Sequence, residues 1–389
     1  MMNHTDLLIP ATIMRGGSSK GLFFLDRDLP VDSSTRERIY LNAMGSPDPY
    51  GKQIDGLGGG TSSTSKVAVI SASTREGYDV DYLFAHVAID QAMVDYSGNC
   101  GNLSSAVGVF AIENDLVVPR TPITQVHVWQ VNTKQHMVIH VPYDDAKVIS
   151  AGDYVVAGVA GSGAAIKVEF LQHDSGNGPL ILPTGNASEN LHVPGVGEIR
   201  VTLLNSGNPT VFVGPESIGM IGTELPDTIN SDREILAKVE KIRCAASVAM
   251  GLTLSIEEAG QRPGTPKLAC VSRPIAFTST QGVSIGTEAM DVCARIFSMG
   301  RLHHAFTGTG AIAVAVAAAI PGTVVTDCID AQQYEGNMIR IGHCAGSIDA
   351  ECDVNHEQRL WKMSSAAIRR TARTLMRGEI IIPSYLPEL

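Results

Sequence analysis

Two residues in this chain stand where a side chain can do acid–base chemistry. The stretch SGNCGNLSSAVGVFAI, residues 97–112, sets Cys100 between small-residue turns and runs straight into an apolar segment. A thiol at a helix start meets unpaired N–H groups and a partial positive charge. That field is worth about 0.3–1 kcal/mol, and up to ~2 when partly buried, enough to bring a thiol of pKa about 8.5 close to neutrality. The second residue is Lys66, in GLGGGTSSTSKVAVIS, where a Gly/Ser/Thr loop enters a strand-like run. A sheet would hold that lysine in place, and burial would make its neutral amine available as a base. A Cys–Lys pair in contact titrates as a unit. The residues alone leave two readings open, since Cys100 could serve packing and Lys66 solvation.

Other motif chemistry is excluded or thin. GLGGGTSSTSK lacks the Gly-Lys-Ser/Thr of a P-loop and gives no G-x-G-x-x-G between strand and helix, so nucleotide binding is not expected. His343, Cys344 and Cys352 have no C-x-x-C pairing, and no metal site is expected. His303 and His304, just before the second apolar segment, are candidates to face a cleft.

The bulk composition, 44% hydrophobic and 18% charged, fits a soluble, well-packed globule. The 389 residues exceed one average core, so two domains are expected. A formal charge of −11 argues against nucleic acid as a partner, yet leaves room for a locally positive pocket that takes an anion. The one basic run, Arg369, Arg370, Arg373 and Arg377, reads as a solvated helix face. Seven cysteines, an odd number, with an opening MMNHTDLLIP unlike a signal peptide, point to reduced thiols in the cytoplasm. The longest apolar run, AIAVAVAAAI at 311–320, is too short for a membrane and ends at Pro321, so it reads as a buried helix.

The elements that must position Lys66 and Cys100 occur twice. PATIMRGGSSKGLFF from Pro10 matches RVTLLNSGNPTVFVG from Arg200 as two apolar runs about a glycine turn. SKVAVIS (65–71) matches PKLACVS (266–272), placing Lys66 opposite Lys267. CGNLSSAVGVFA (100–111) matches TGTGAIAVAVAA (307–318), placing Cys100 opposite Thr307. Three matches in one order indicate duplication. Segments 106–112 and 311–320 are apolar all round and must be enclosed. The expected fold is α+β, with two pseudo-symmetric halves, each a curled β-sheet around a central helix, and both helix starts facing the cleft between them. The halves are expected at 1–185 and 186–389, joined near the Gly/Pro/Asn-rich stretch 183–197, with the last residues able to pack back on the first half. Peripheral helices are expected at 32–44 and over SDREILAKVEKIRCAASVAMGL, the latter opened by a Ser231–Glu234 capping box.

Taken together, IPATIMRGGSSKGLFF, GGGTSSTSKVAVIS, DYSGNCGNLSSAVGVFAIE and HHAFTGTGAIAVAVAAAIPGT resemble the methylaconitate isomerase (PrpF-type) family, which includes 4-oxalomesaconate tautomerases. The resemblance spans nearly the whole chain. It implies a diaminopimelate-epimerase-like fold and a cofactor-independent isomerase of unsaturated di- or tricarboxylates, with Lys66 and Cys100 catalytic. Two-thiol epimerases of this fold carry a second cysteine where this chain has Thr307, so a two-thiol racemase is disfavoured.

The expected reaction is a 1,3-allylic shift through a dienolate, with 4-oxalomesaconate of aromatic-ring degradation as first substrate. The alternatives are 2-methylaconitate of propionate metabolism and a non-catalytic accessory role beside a dehydratase. Substrate contacts are expected from backbone N–H groups of Gly101, Asn102, Gly308 and Thr309. Side chains of Ser18, Ser19, Asn99, Ser104, Ser206, Asn208 and Thr307 would add to them, with Arg15 and Arg273 as carboxylate clamps. A homodimer is the commonest assembly for such a chain.

Overall fold

The structure is a computed structural model and describes residues 6–383 apart from 145, 172–179, 331–333, 335, 336 and 359. The chain opens with a hairpin, β1 (Leu7–Gly16) and β2 (Ser19–Leu25), followed by helix α1 (Ser33–Met44). Then β3 (Lys66–Ala72) lies parallel to β2, and β4 (Val80–Val87) antiparallel to β3. Helix α2 (Gly101–Glu113) follows. β5 (Ile123–Gln130) lies parallel to β4, β6 (Gln135–Asp144) antiparallel to β5, and β7 (Ile166–Leu171) antiparallel to β6.

The second half repeats the pattern. A short strand β8 (Glu189–Val193) precedes the hairpin β9 (Gly197–Ser206) and β10 (Asn208–Val213). Peripheral helices α3 (Pro226–Ser231), α4 (Arg233–Ala249) and α5 (Ile256–Gly260) come next. β11 (Lys267–Ser272) is parallel to β10 and β12 (Val292–Ser298) antiparallel to β11. After α6 (Gly308–Ala318), β13 (Met338–His343) is parallel to β12 and β14 (Gly346–Glu357) antiparallel to β13. The three sequence matches thus fall on equivalent elements, β1–β2 with β9–β10, β3 with β11, and α2 with α6. The fold is diaminopimelate-epimerase-like.

The last two strands join the halves. β15 (Leu360–Arg370) pairs with β14 on one edge and β7 on the other, and β16 (Ala372–Ile382) closes on β1.

Period-two burial on both faces explains the layering. On β3, Val67 and Val69 pack outward with Ile39, Tyr40 and Met44 of α1, while Ala68 and Ile70 pack inward with α2. On β11, Leu268 and Cys270 pack outward with Val239 and Ile242 of α4, while Ala269 and Val271 face α6. Lys66 and Lys267 are therefore on the helix-facing side of their strands. Both central helices are enclosed throughout, from Gly101 to Ile112 and from Gly308 to Ala318. Burial of a side chain such as Ile312, which exposes none of its surface, stabilises by about 1.5–3 kcal/mol.

Three local expectations are corrected. The basic run is strand: Arg369 is ion-paired to Glu351, Arg377 to Glu113, and Arg370 is buried. Its spacing mimics one helix face, but the segment finds edges of β14, β7 and β1 to pair with, and tertiary pairing overrides so weak a pattern. Helix α4 is capped by Asp232, whose Oδ1 accepts from Glu234 N and Ile235 N, and not by Ser231. Ser231 is still helical, the last residue of α3, which Pro226 starts one turn earlier. The stretch 183–197 contains β8, so a third of the expected linker is sheet.

Candidate active site

The site is built where strand β3 begins and helix α2 begins. Lys66 is the first residue of β3 and only 5% exposed. Its Nζ lies 3.2 Å from Cys100 Sγ and 3.0 Å from Ser19 Oγ at the start of β2. Cys100 is the N-cap of α2, its Sγ accepting from Leu103 N at 3.4 Å, with Ser19 Oγ 3.6 Å away. Burial alone would push this thiol up. The Lys66 ammonium, the Leu103 N–H and the Ser19 hydroxyl outweigh it and hold Cys100 below the ordinary thiol value. The other six cysteines all go the other way, raised by burial.

The two helix starts meet mouth to mouth. A Cβ on Gly101 would lie 2.7 Å from Thr309 N, and one on Gly308 would lie 2.7 Å from the Gly101 carbonyl carbon. Thr307 caps α6 as Cys100 caps α2, its Oγ1 accepting from Gly310 N at 3.1 Å. The first N–H groups of each helix, at Gly101, Asn102, Gly308 and Thr309, have no acceptor among the described residues and concentrate positive potential at one place.

The asparagines beside Cys100 clasp the halves. Asn99 exchanges two backbone hydrogen bonds, each 2.9 Å, with the Asn208 side chain. Asn102 Nδ2 donates to Phe306 O and to Ser18 Oγ, both at 3.0 Å. Ser63 adds a third tie, 2.8 Å from His304 Nδ1. The turns above the helices are equivalent too. Gly17, with φ of +49°, sits over Asn102, and Gly207, with φ of +68°, over Thr309 O. Both need a left-handed backbone without a side chain.

Of the residues singled out from sequence, Ser18, Ser19, Lys66, Asn99, Gly101, Asn102, Asn208, Thr307, Gly308 and Thr309 converge here. Ser104 Oγ is spent on Cys100 O at 3.0 Å, and Ser206 Oγ lies 3.3 Å from Met363 Sδ. Arg15 gives its Nη1 to the carbonyls of Gly17 and Thr371. Arg273 follows the far end of β11 from Lys267, roughly 20 Å along the strand, and lines a separate surface cavity with Glu216 and Asp327. It is not brought to Lys66 and Cys100, because a strand places its two ends apart however alike they read.

Three groups escaped the sequence reading. His86 is the cross-strand partner of Lys66, kept neutral by burial and by Lys66 and Lys267; the β4 register would have revealed it. It lines a cleft of about 770 Å³ between the halves, with Ser62 on one wall and Leu236, Glu240 and Arg301 on the other. Arg370 is 4% exposed, with Nε 2.8 Å from Asn102 Oδ1, and burial lowers it to about 10. Lys267, aligned with Lys66 but not assigned a task, is 7% exposed.

A buried amine–thiol pair at the junction of two facing helices, in a duplicated curled-sheet fold, is the arrangement of an isomerase. Residues 6–383 match the model of the PrpF protein family, and the chain belongs to that family. It is 44% identical to a 2-methyl-aconitate isomerase of Shewanella oneidensis (96% of this chain, 97% of that one) and 43% identical to one of Cupriavidus necator (98% and 99%). A 4-oxalomesaconate tautomerase of Pseudomonas putida is 36% identical, with 96% of each chain covered. The crystal structure of methylitaconate-delta-isomerase superposes with a TM-score of 0.75 at 36% identity, covering 98% of this chain and 97% of that one.

Proposed function

We propose that the protein isomerises 2-methylaconitate by cofactor-free proton transfer between Lys66, Cys100 and the substrate. The observation that carries the reading is the 3.2 Å contact of Lys66 Nζ with Cys100 Sγ at a helix mouth. The pair holds one proton between amine and thiolate, so whichever end abstracts, the other is protonated and ready to donate.

The carbon beside the double bond of such a substrate is acidified by the conjugated carboxylate. Loss of its proton leaves a dienolate in which the former double bond is single. Rotation and return of the proton to the same carbon interconverts cis and trans forms. Return two carbons away shifts the double bond. Proton transfer of this kind supplies roughly 10²–10⁴-fold. The free N–H groups of Gly101, Asn102, Gly308 and Thr309 are placed to stabilise the charge that grows on carboxylate and enolate oxygen.

The choice of 2-methylaconitate over 4-oxalomesaconate follows the identities, 44% and 43% against 36%. The test is ¹H NMR in D₂O with each compound in turn. The expected result is interconversion of cis and trans 2-methylaconitate with deuterium entering the allylic position. Faster conversion of 4-oxalomesaconate would move the assignment to that compound. Absence of exchange from both would leave an accessory role and end the isomerase assignment of this substrate class.

A further inference from the structure

The internal repeat gives Lys66 a counterpart whose surroundings differ in one decisive respect. Lys267 opens β11 as Lys66 opens β3, each beside the second strand of its hairpin in parallel. Each lies on the helix-facing side of its strand. Lys66 has a thiol at the helix start to carry the opposing charge. At the matching position Lys267 has Thr307, a hydroxyl that keeps its proton at any ordinary pH.

What remains around Lys267 is thin. Nζ reaches Gly264 O at 3.4 Å and Ser298 Oγ at 3.5 Å, both at the long end for a hydrogen bond. Among the described residues no carboxylate lies within ion-pair distance of it. The acidic group it feels is Asp95, whose oxygens already accept from Ser97 N at 2.6 Å and Gly264 N at 2.7 Å. An ammonium that is 7% exposed and unpaired is costly, and proteins keep such a charge where a ligand supplies the other sign. Lys267 is tied to the site by contact: its Nζ reaches Gly264 O, Gly264 N donates to Asp95, Asp95 is the cross-strand partner of His86, and His86 is the cross-strand partner of Lys66, so the two amines flank one place.

We propose that Lys267 is a substrate-binding residue, the anchor in the second half for a carboxylate of a ligand bearing at least two, while Lys66 and Cys100 work on the carbon between. The inference rests on the isomerase reading above and deepens it. An anchored carboxylate conjugated to the reacting carbon gains charge as the dienolate forms, so the same ammonium would favour the transition state.

The test uses the full chain and tricarballylate, a saturated tricarboxylate that cannot react. Binding to wild type, Lys66→Met and Lys267→Met is measured by calorimetry, beside steady-state kinetics and thermal melts. The expected result is at least 30-fold weaker binding for Lys267→Met, with kcat/KM lowered at least as far. Lys66→Met should bind within about threefold of wild type while losing turnover. Lys267→Arg should recover part of the affinity. Ligand-free Lys267→Met should melt at or above the wild-type temperature, because an uncompensated buried charge has been removed. Near-normal binding by Lys267→Met, or a loss of folding in that variant, would assign the ammonium to structure and overturn the proposal. A wild type that binds no tricarboxylate and turns over none would instead strike at the isomerase reading.

Discussion

Lys66 Nζ and Cys100 Sγ come within 3.2 Å of each other although 34 residues separate them, one from a strand and one from a helix cap. The Lys66 ammonium helps hold the Cys100 thiol below its ordinary value. Lys66→Met should fold normally and lower kcat/KM for the isomerisation by about 10³-fold or more. Cys100→Ser should lose about 10²–10⁴-fold, since a serine hydroxyl neither shares nor donates a proton near neutrality. Turnover within tenfold of wild type in either variant would remove that residue from the proton path.

The same contact sets the reactivity of the thiol. Cys100 is the one cysteine held below the ordinary thiol value, whereas burial raises Cys244, Cys328 and Cys344 to about 11 and Cys352 to about 12. Iodoacetamide at pH 7 should therefore modify Cys100 first, as mass spectrometry of peptides would show. In Lys66→Met the main opposing charge is gone, and the rate of modification at Cys100 should fall about tenfold or more. Labelling spread evenly over several cysteines would contradict the ionised pair.

How much of this was legible in the sequence depends on the range of the signal. The duplicated motifs located Lys66, Cys100 and Thr307 because each is fixed by its own element, a strand start or a helix cap. The pairing of equivalent strands followed from the same repeat. Arg370 was not legible. Its task depends on β15 passing over the helix mouths, a contact 268 residues from Asn102 in sequence. Arg273 failed for the opposite reason. It neighbours a true site strand, but at the end that points away, and local sequence does not say which end of a strand meets a cleft.

The mouth-to-mouth contact of α2 and α6 leaves no room for a methyl group. Gly308→Ala would bring Cβ to 2.7 Å from the Gly101 carbonyl carbon and 2.9 Å from Asn102 N, backbone atoms that cannot turn aside. Relief requires the helices to part, at a cost of about 1–3 kcal/mol in stability. Parting moves Cys100 against the turn that carries Ser19, and a misplacement of about 1 Å costs up to 10²-fold in rate. Gly378→Ala, where a Cβ meets nothing within 4 Å, is the control and should stay within about 0.5 kcal/mol of wild type. Equal melting temperatures and rates for the two variants would refute the close contact.

Acid should destabilise the protein well before its carboxylates are protonated. His86, His303 and His343 are 6%, 2% and 2% exposed. Burial first, then neighbouring basic groups, lowers all three: Lys66 and Lys267 act on His86, His304 and Lys66 on His303, and Arg370 and Arg295 on His343, which falls to about 3. In the folded state they stay neutral below pH 6.5, whereas in the unfolded chain they take up protons. The unfolded state then binds more protons, so stability rises with pH through this window and falls as pH drops from about 6.5 toward the folded values. Between pH 7 and pH 5 His343 removes on the order of 2 kcal/mol, and His86 and His303 act in the same direction. Carboxylates lowered by hydrogen bonding, such as Asp48 and Glu169, act mainly below about pH 5, under the window in which the histidines act. Urea unfolding at half-unit steps should show the midpoint falling steadily from pH 7 to pH 5. In His343→Asn, whose side-chain oxygen can still accept from Ala345 N as Nδ1 does at 3.2 Å, the slope should be shallower by one histidine. A midpoint independent of pH across that range would mean that these rings are protonated in the native protein, and the neutral His86 beside Lys66 would have to be given up with them.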